Sequence, residues 1–269
     1  VIPAAFEYAR AGSFEEAVEL LGRDDDAKLL AGGHSLLPLM RLRFARPSLI
    51  VDIDRLEDLR YVRDDGDRIA IGALTCHAQL ARDTVLRDGC SVIARAAEHI
   101  GDPQVRHRGT IGGSVAHADP ASDLSTILLT LDAELVAHGP EGERVIAAAD
   151  FFTGPFATTL GQRDVLTEIR VPKVEQGVYL KYYRRTQDWA TVGVAAARVG
   201  GRVAVGLASM GATPLRAAAV EQAVADGASP TDAASSTAEG TDPPSDVSGS
   251  AEYRTQLARV LVRRALEQL

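Results

Sequence analysis

Lys28-Leu29-Leu30-Ala31-Gly32-Gly33-His34-Ser35 is an apolar run that halts on two glycines and resumes at Leu36. It reads as a short strand, a tight glycine turn and a helix from Leu36 to Phe44, with Ser35 as the expected cap. Pro38 is tolerable there because the first helical turn has no donor to lose. Upstream, Ser13-Phe14-Glu15-Glu16 forms a capping box opening a helix through Leu21, with Gly22 as its stop. Downstream, Leu49 to Ile53 is an apolar strand. Strand, helix, strand, helix, strand is the outline of a small parallel α/β unit.

Beyond Tyr61 the pattern changes. Tyr61-Val62 and Arg68 to Ile71 flank the turn Asp64-Asp65-Gly66-Asp67, which predicts a hairpin. Two helices should follow, one near Thr75 and one from Ser91 to Ile100. The glycine-rich stretch Gly101 to Ser114 reads as an ordered loop, and Asp119-Pro120 as the start of a helix with body Leu124 to Leu131. A second hairpin spans Glu134 to Ala148, turning at Gly139-Pro140-Glu141-Gly142, and Val165 to Val171 is a strand. After Lys173, Val192 to Arg198 and Arg202 to Ser209 pair around Gly200-Gly201. Leu215 to Ala225 reads as helix, Ala228 to Ser250 as a loop or lid outside the core, and Tyr253 to Leu269 as an amphipathic helix. The expected class is α+β. Residues 1–172 form one domain of two lobes, about 1–55 and 56–172, and residues 173–269 a smaller domain with an antiparallel sheet and helices.

Bulk properties narrow the chemistry. The 269 residues are 46% hydrophobic with a net charge of -8, so a nucleic-acid groove would work against the overall field. No apolar run approaches the roughly 18 residues of a membrane span, and the N-terminus lacks a secretory pattern, which makes a cytoplasmic setting the expectation. Cys76 and Cys90 are too few for a disulfide framework or for the about four thiolates of an iron–sulfur cluster. Any such cluster belongs on another chain.

Two glycine segments carry the chemistry. In Ala31 to Leu36, paired glycines let the backbone approach a ligand and turn successive N–H groups inward. Thr110-Ile111-Gly112-Gly113-Ser114 has the same character. Two such segments suit a diphosphate. Neither matches G-x-G-x-x-G or the G-x-x-x-x-G-K-[ST] pattern, so a Rossmann dinucleotide site and a P-loop are both unsupported. His117, Asp119 and Asp123 need no metal, since Asp119 is explained as a helix start.

The ordered combination is specific. Ala31-Gly32-Gly33-His34-Ser35-Leu36, Ile100 through Ser114, Asp119-Pro120-Ala121-Ser122-Asp123, Asp188-Trp189-Ala190-Thr191 and Ser250 to Arg254 together closely resemble the flavin-binding medium subunit of the carbon monoxide dehydrogenase and xanthine dehydrogenase family. The resemblance spans essentially the whole chain. It implies a fold of the PCMH or vanillyl-alcohol-oxidase type. It also implies FAD on this chain, with Ala31, Gly32, Gly33, His34, Ser35 and Leu36 as the first pyrophosphate loop and Thr110, Ile111, Gly112, Gly113 and Ser114 as the second. Ser114 stands where relatives often carry Asn, so its contact would run through backbone or water. Asp123 matches a position near the ribityl or ribose hydroxyls. Leu166 and Lys181 resemble positions at the flavin ring edge, with a solvated surface charge as the alternative for Lys181. Ile100 takes a ring-contact position often aromatic in relatives. Trp189 is expected to pack between domains, with a flavin-side role as the alternative.

By the same resemblance the chain is one part of a heterotrimer, itself forming a dimer. A small subunit would carry two [2Fe–2S] clusters and a large subunit molybdopterin. Electrons would pass from the clusters through FAD to an external acceptor, and no catalytic residue on this chain would act on the organic substrate. Two other readings compete: a stand-alone flavin oxidoreductase, and a non-catalytic nucleotide-binding scaffold.

Overall fold

The computed structural model describes residues 2–269. The first lobe contains β1 (Glu7–Arg10), α1 (Phe14–Leu21), β2 (Lys28–Leu30), α2 (Leu36–Leu42) and β3 (Leu49–Asp52). The three strands lie in the order β1-β3-β2, all parallel, which is the expected α/β unit. Ser13 caps α1 by accepting from the Glu16 N–H at 3.2 Å, and the helix buries Ala17, Val18, Leu20 and Leu21 in a core that also holds Leu49 and Val51 of β3. Ser35 does not cap α2. Its φ of −102° and ψ of −52° are helical, not extended, so the hydroxyl cannot turn back onto the first turn.

The second lobe runs through β4 (Val62–Asp64), β5 (Arg68–Gly72), α3 (His77–Leu80), α4 (Thr84–Gly89), α5 (Ser91–Ala97), α6 (Pro103–Arg108), α7 (Ile111–His117) and α8 (Asp123–Thr130). It continues with β6 (Glu134–Gly139), β7 (Gly142–Ala147), α9 (Ala148–Phe151), β8 (Phe152–Gly154), β9 (Ala157–Thr158) and β10 (Val165–Pro172). Both expected hairpins form, and β10 inserts between them to give an antiparallel sheet in the order β4-β5-β10-β6-β7.

Three expectations for this lobe are corrected. Three short helices, not two, follow β5, because Asp83 caps a separate turn through the Leu86 N–H. Gly101 to Ser114 is not a loop: Asp102 caps α6 and Thr110 caps α7, and these two caps offset the low helix propensity of the glycines. Asp119 is not the cap of α8. Its carboxylate closes a local turn on the Ala121 N–H at 2.8 Å, and Ser122 caps the helix instead.

The C-terminal region holds β11 (Gly177–Tyr182), β12 (Val192–Val199), β13 (Arg202–Ala208), β14 (Leu215–Arg216), α10 (Ala218–Ala225), α11 (Pro230–Ser235) and α12 (Ala251–Leu266). Its antiparallel sheet, β11-β12-β13-β14, is covered on both faces. Alternation along β12 explains this. Val192, Val194 and Ala196 face α10, α11 and α12, while Ala195, Ala197 and Val199 join the core of the second lobe. Leu215-Arg216, expected as helix, instead pairs with β13 before α10 starts. The stretch 228–250 does contribute to the core. Ser229 and Pro230 start α11, which buries Ala233 and Ala234 against α12, so its small residues reflect close helix packing. Helix α8, buried along its whole length, lies between the two regions. Gly206 admits it: a Cβ there would fall 2.1 Å from the Thr130 hydroxyl.

Candidate functional site

A cavity of about 500 Å³ opens between the first lobe, α7 and the C-terminal sheet. Ala31, Gly32, Gly33, His34, Ser35, Leu36, Ile100, Thr110, Gly112, Gly113, Ser114, Asp123, Leu166 and Lys181 all line it. Ile111 does not: it is fully buried in the core beneath α7. Residues more than a hundred positions apart therefore converge, although the two glycine segments do so differently.

The first segment is an array of free donors. No atom among the described residues accepts a hydrogen bond from the N–H groups of Gly32, Gly33, His34, Ser35 or Leu36; the pattern resumes only with Leu37 N–H donating to Gly33 at 3.1 Å. Gly33 makes the bend with φ of +80°, a conformation that side chains resist. Consecutive unpaired N–H groups on a cavity wall form a concave anion site.

Past Thr110, the second segment has spent its donors. Ile111 N–H donates to Thr75 at 3.0 Å, Gly112 N–H to Ala73 at 2.8 Å, and Gly113 N–H to the Thr110 hydroxyl at 3.1 Å. The expectation that N–H donors from both segments ring a diphosphate is thus corrected for residues 111–114. Gly112 serves packing, since a Cβ there would lie 2.6 Å from that of Ala73. Gly113 serves space: beyond the Thr110 hydroxyl, the nearest atom to its Cβ position is the Ala31 side chain across the gap, at 3.9 Å. Ser114 reaches the Ser122 hydroxyl at 3.3 Å.

At another part of the wall, Lys181 Nζ lies 2.9 Å from Asp123 Oδ2, with side chains 7% and 6% exposed. Lys181 is therefore an enclosed cation, and the surface-charge alternative falls away. Tyr179 Oη donates to the other Asp123 oxygen at 2.5 Å, and burial first, then the Asp123 charge, raises the phenol well above its ordinary range. Leu166, 6% exposed, lines the cavity beside a bulge where β10 slips against β6 and Thr167 donates to the Val136 carbonyl. Trp189 is 57% exposed and lines the cavity, so the expected packing between domains is corrected to a place at the opening.

Sequence reasoning missed His77 and Tyr179. His77 lines the cavity at 4% exposure, its Nδ1 has no hydrogen-bond partner, and burial, aided by His34 and Arg106, lowers its pKa to about 4. The imidazole is neutral. Gly109 was the available signal, since a Cβ there would press on the His77 ring at 2.9 Å.

The donor set suits a diphosphate-bearing cofactor: an anion-sized row of free N–H groups, a gap kept clear by Gly113, and an apolar wall of Leu30, Leu36, Ile100 and Leu166. Among the described residues no group of His, Cys, Asp or Glu is arranged to hold a metal ion, and no helix is long and apolar enough to cross a membrane.

Comparison with known proteins agrees with this chemistry. Residues 4–174 match the family model described as FAD binding domain in molybdopterin dehydrogenase, and residues 178–269 that of the CO dehydrogenase flavoprotein C-terminal domain. The carbon monoxide dehydrogenase medium chain of Hydrogenophaga pseudoflava is 40% identical, over 99% of this chain and 97% of its own. The glyceraldehyde dehydrogenase medium chain of Sulfolobus acidocaldarius is 36% identical, over 99% of each. In structure, the chain superposes on carbon monoxide dehydrogenase from Hydrogenophaga pseudoflava with a TM-score of 0.94, covering 100% of this chain and 98% of that one. The chain belongs to the family of FAD-binding medium chains of the molybdopterin dehydrogenases. It is an oxidoreductase component, and FAD is its cofactor.

Proposed function

We propose that this chain is the flavin-carrying subunit of a cytoplasmic molybdenum hydroxylase, assembled with a small subunit bearing two [2Fe–2S] clusters and a large molybdopterin subunit into a dimer of heterotrimers. Residues 1–172 would form the FAD-binding domain and residues 173–269 the C-terminal domain. The observation that carries the reading is the convergence of residues 31–36, Thr110, residues 112–114 and the Asp123–Lys181 pair on one cavity. When bound, FAD supplies the exchange between one-electron and two-electron chemistry that separates iron–sulfur clusters from an external acceptor.

The rest is the work of this chain's own side chains and backbone. N–H groups of residues 32–36 hold the pyrophosphate, His34 and Ser35 flank it, and Thr110, Gly112 and Gly113 shape the facing wall. Asp123 accepts from cofactor hydroxyls, while Lys181 sets the charge beside the ring together with Leu166 and Ile100. No side chain of this chain is needed to act on the organic substrate, which belongs to the large subunit.

The test is assembly. Co-expression with an iron–sulfur subunit and a molybdopterin subunit should yield one complex, with flavin and iron–sulfur absorbance co-eluting and bleaching together when substrate is added. A chain that elutes alone from that mixture and oxidises an organic substrate by itself would replace this reading with the stand-alone oxidoreductase.

A further inference from the structure

Strand β11 sends two side chains, two residues apart and on one face, to a single carboxylate of another part of the fold. Lys181 pairs with Asp123 Oδ2 at 2.9 Å, and Tyr179 donates to Asp123 Oδ1 at 2.5 Å. Lys181 and Asp123 line the cavity, whereas Tyr179 stands behind them and does not. The chain makes room for this contact. Gly193 on the neighbouring strand β12 has no side chain where one would meet the Tyr179 hydroxyl at 2.3 Å. Asp123 itself begins α8, the helix wedged between the two regions, with Ser122 as its cap.

We propose that Tyr179 is a positioning residue for the flavin site, through which the C-terminal sheet fixes the orientation and charge of the Asp123 carboxylate that faces the cofactor, with Gly193 as the vacancy that permits it. The proposal rests on the FAD reading above. The physical argument is one of charge balance. A carboxylate this enclosed needs both oxygens satisfied, and a lone ammonium satisfies one. The phenol takes the other, which stops the carboxylate rotating about its Cβ–Cγ bond and disperses its negative charge away from the cavity. Without the phenol, the wall beside the cofactor becomes more negative and less ordered.

Two variants disturb the same contact from opposite sides. Tyr179→Phe removes the hydroxyl and keeps the ring; Gly193→Ala keeps the hydroxyl and displaces it. Val205→Ala, in the core on the other face of the C-terminal sheet, controls for general destabilisation. The full chain is stripped of flavin and titrated with FAD, and the midpoint potential of the loaded chain is measured. Both Tyr179→Phe and Gly193→Ala should weaken FAD binding on the order of tenfold, the loss expected for a hydrogen bond to a charged group. Both should also shift the flavin potential negative, because adding electrons beside a less compensated carboxylate is harder. Val205→Ala should lower the unfolding temperature and leave the potential in place. If either variant fails to fold, the other decides alone. An unchanged affinity and potential in a folded variant would overturn the proposal, whereas failure of the unmodified chain to bind FAD would overturn the flavin reading instead.

Discussion

Gly32 and Arg108 meet backbone to backbone: a Cβ on Gly32 would stand 2.1 Å from the Arg108 carbonyl oxygen. This contact brings the first glycine segment against the approach to the second, and Arg108 adds an ion pair to Asp54 of the first lobe at 3.1 Å. Gly32 is therefore required by the fold as well as by any ligand. Gly32→Ala should force the two segments apart, with an overpacking cost of about 3 kcal/mol. Thermal unfolding should show a lowered midpoint, and the purified variant should lack flavin absorbance.

Gly112 and Gly113 are adjacent but should answer differently to alanine. At Gly112 the new methyl meets the side chain and backbone of Ala73, so Gly112→Ala should destabilise the chain by about 1–3 kcal/mol. At Gly113 it disturbs the Thr110 cap, costing about 1 kcal/mol, and gains a similar amount from helix propensity. Its stability should stay near that of the unmodified chain while FAD affinity falls, because the methyl fills the gap facing Ala31. Denaturant midpoints and FAD titrations on the two variants check the contrast.

His77 ties stability to acid pH. Its folded pKa of about 4 lies below the ordinary 6.5, so the unfolded chain binds the extra proton first. The stabilising effect of a neutral His77 is complete above about pH 6.5 and declines by roughly 1.4 kcal/mol per unit as pH falls towards 4. His77→Gln should remove this share of the slope between pH 6.5 and 4. Urea unfolding of both proteins at several pH values measures it, and equal slopes would contradict the assignment.

Lys181→Met isolates the enclosed carboxylate. Removing one partner of a buried pair costs roughly 3–5 kcal/mol because the other charge stays unpaired. Adding Asp123→Asn to Lys181→Met should recover part of that loss, a coupling visible in a double-mutant cycle of unfolding free energies. Additive losses would show that the pair is not coupled.

The sequence made the outline of the fold legible wherever local signals act alone. The Ser13 cap, whose box is only half formed because Glu16 accepts from the Gly12 N–H, the turn at Gly139 to Gly142 and the hairpin around Gly200-Gly201 each carry their geometry in a few residues. Helices α6 and α7 were hidden because their caps, Asp102 and Thr110, precede glycine and proline that read as loop. The Ala-rich stretch around α11 was hidden because small residues look like a linker until α12 is beside them. For the candidate site, motif and resemblance brought fourteen of fifteen residues to one cavity, Ile111 being the exception. What they could not convey was which N–H groups remain free, since that depends on Ala73 and Thr75, tertiary partners with no mark in either glycine segment. Tyr179 was equally silent, because its role depends on a hole at Gly193 in the next strand.

The central claim is that FAD occupies the cavity between residues 31–36 and 110–114, closed by Asp123 and Lys181. Trp189 is the only tryptophan of the chain and lines that cavity, so it reports on occupancy directly. Titrating FAD into the flavin-stripped chain should quench Trp189 emission to saturation at one FAD per chain, with affinity weakened about tenfold by Gly113→Ala. Titration without saturable quenching, or FAD binding that leaves Trp189 emission untouched, would contradict the account.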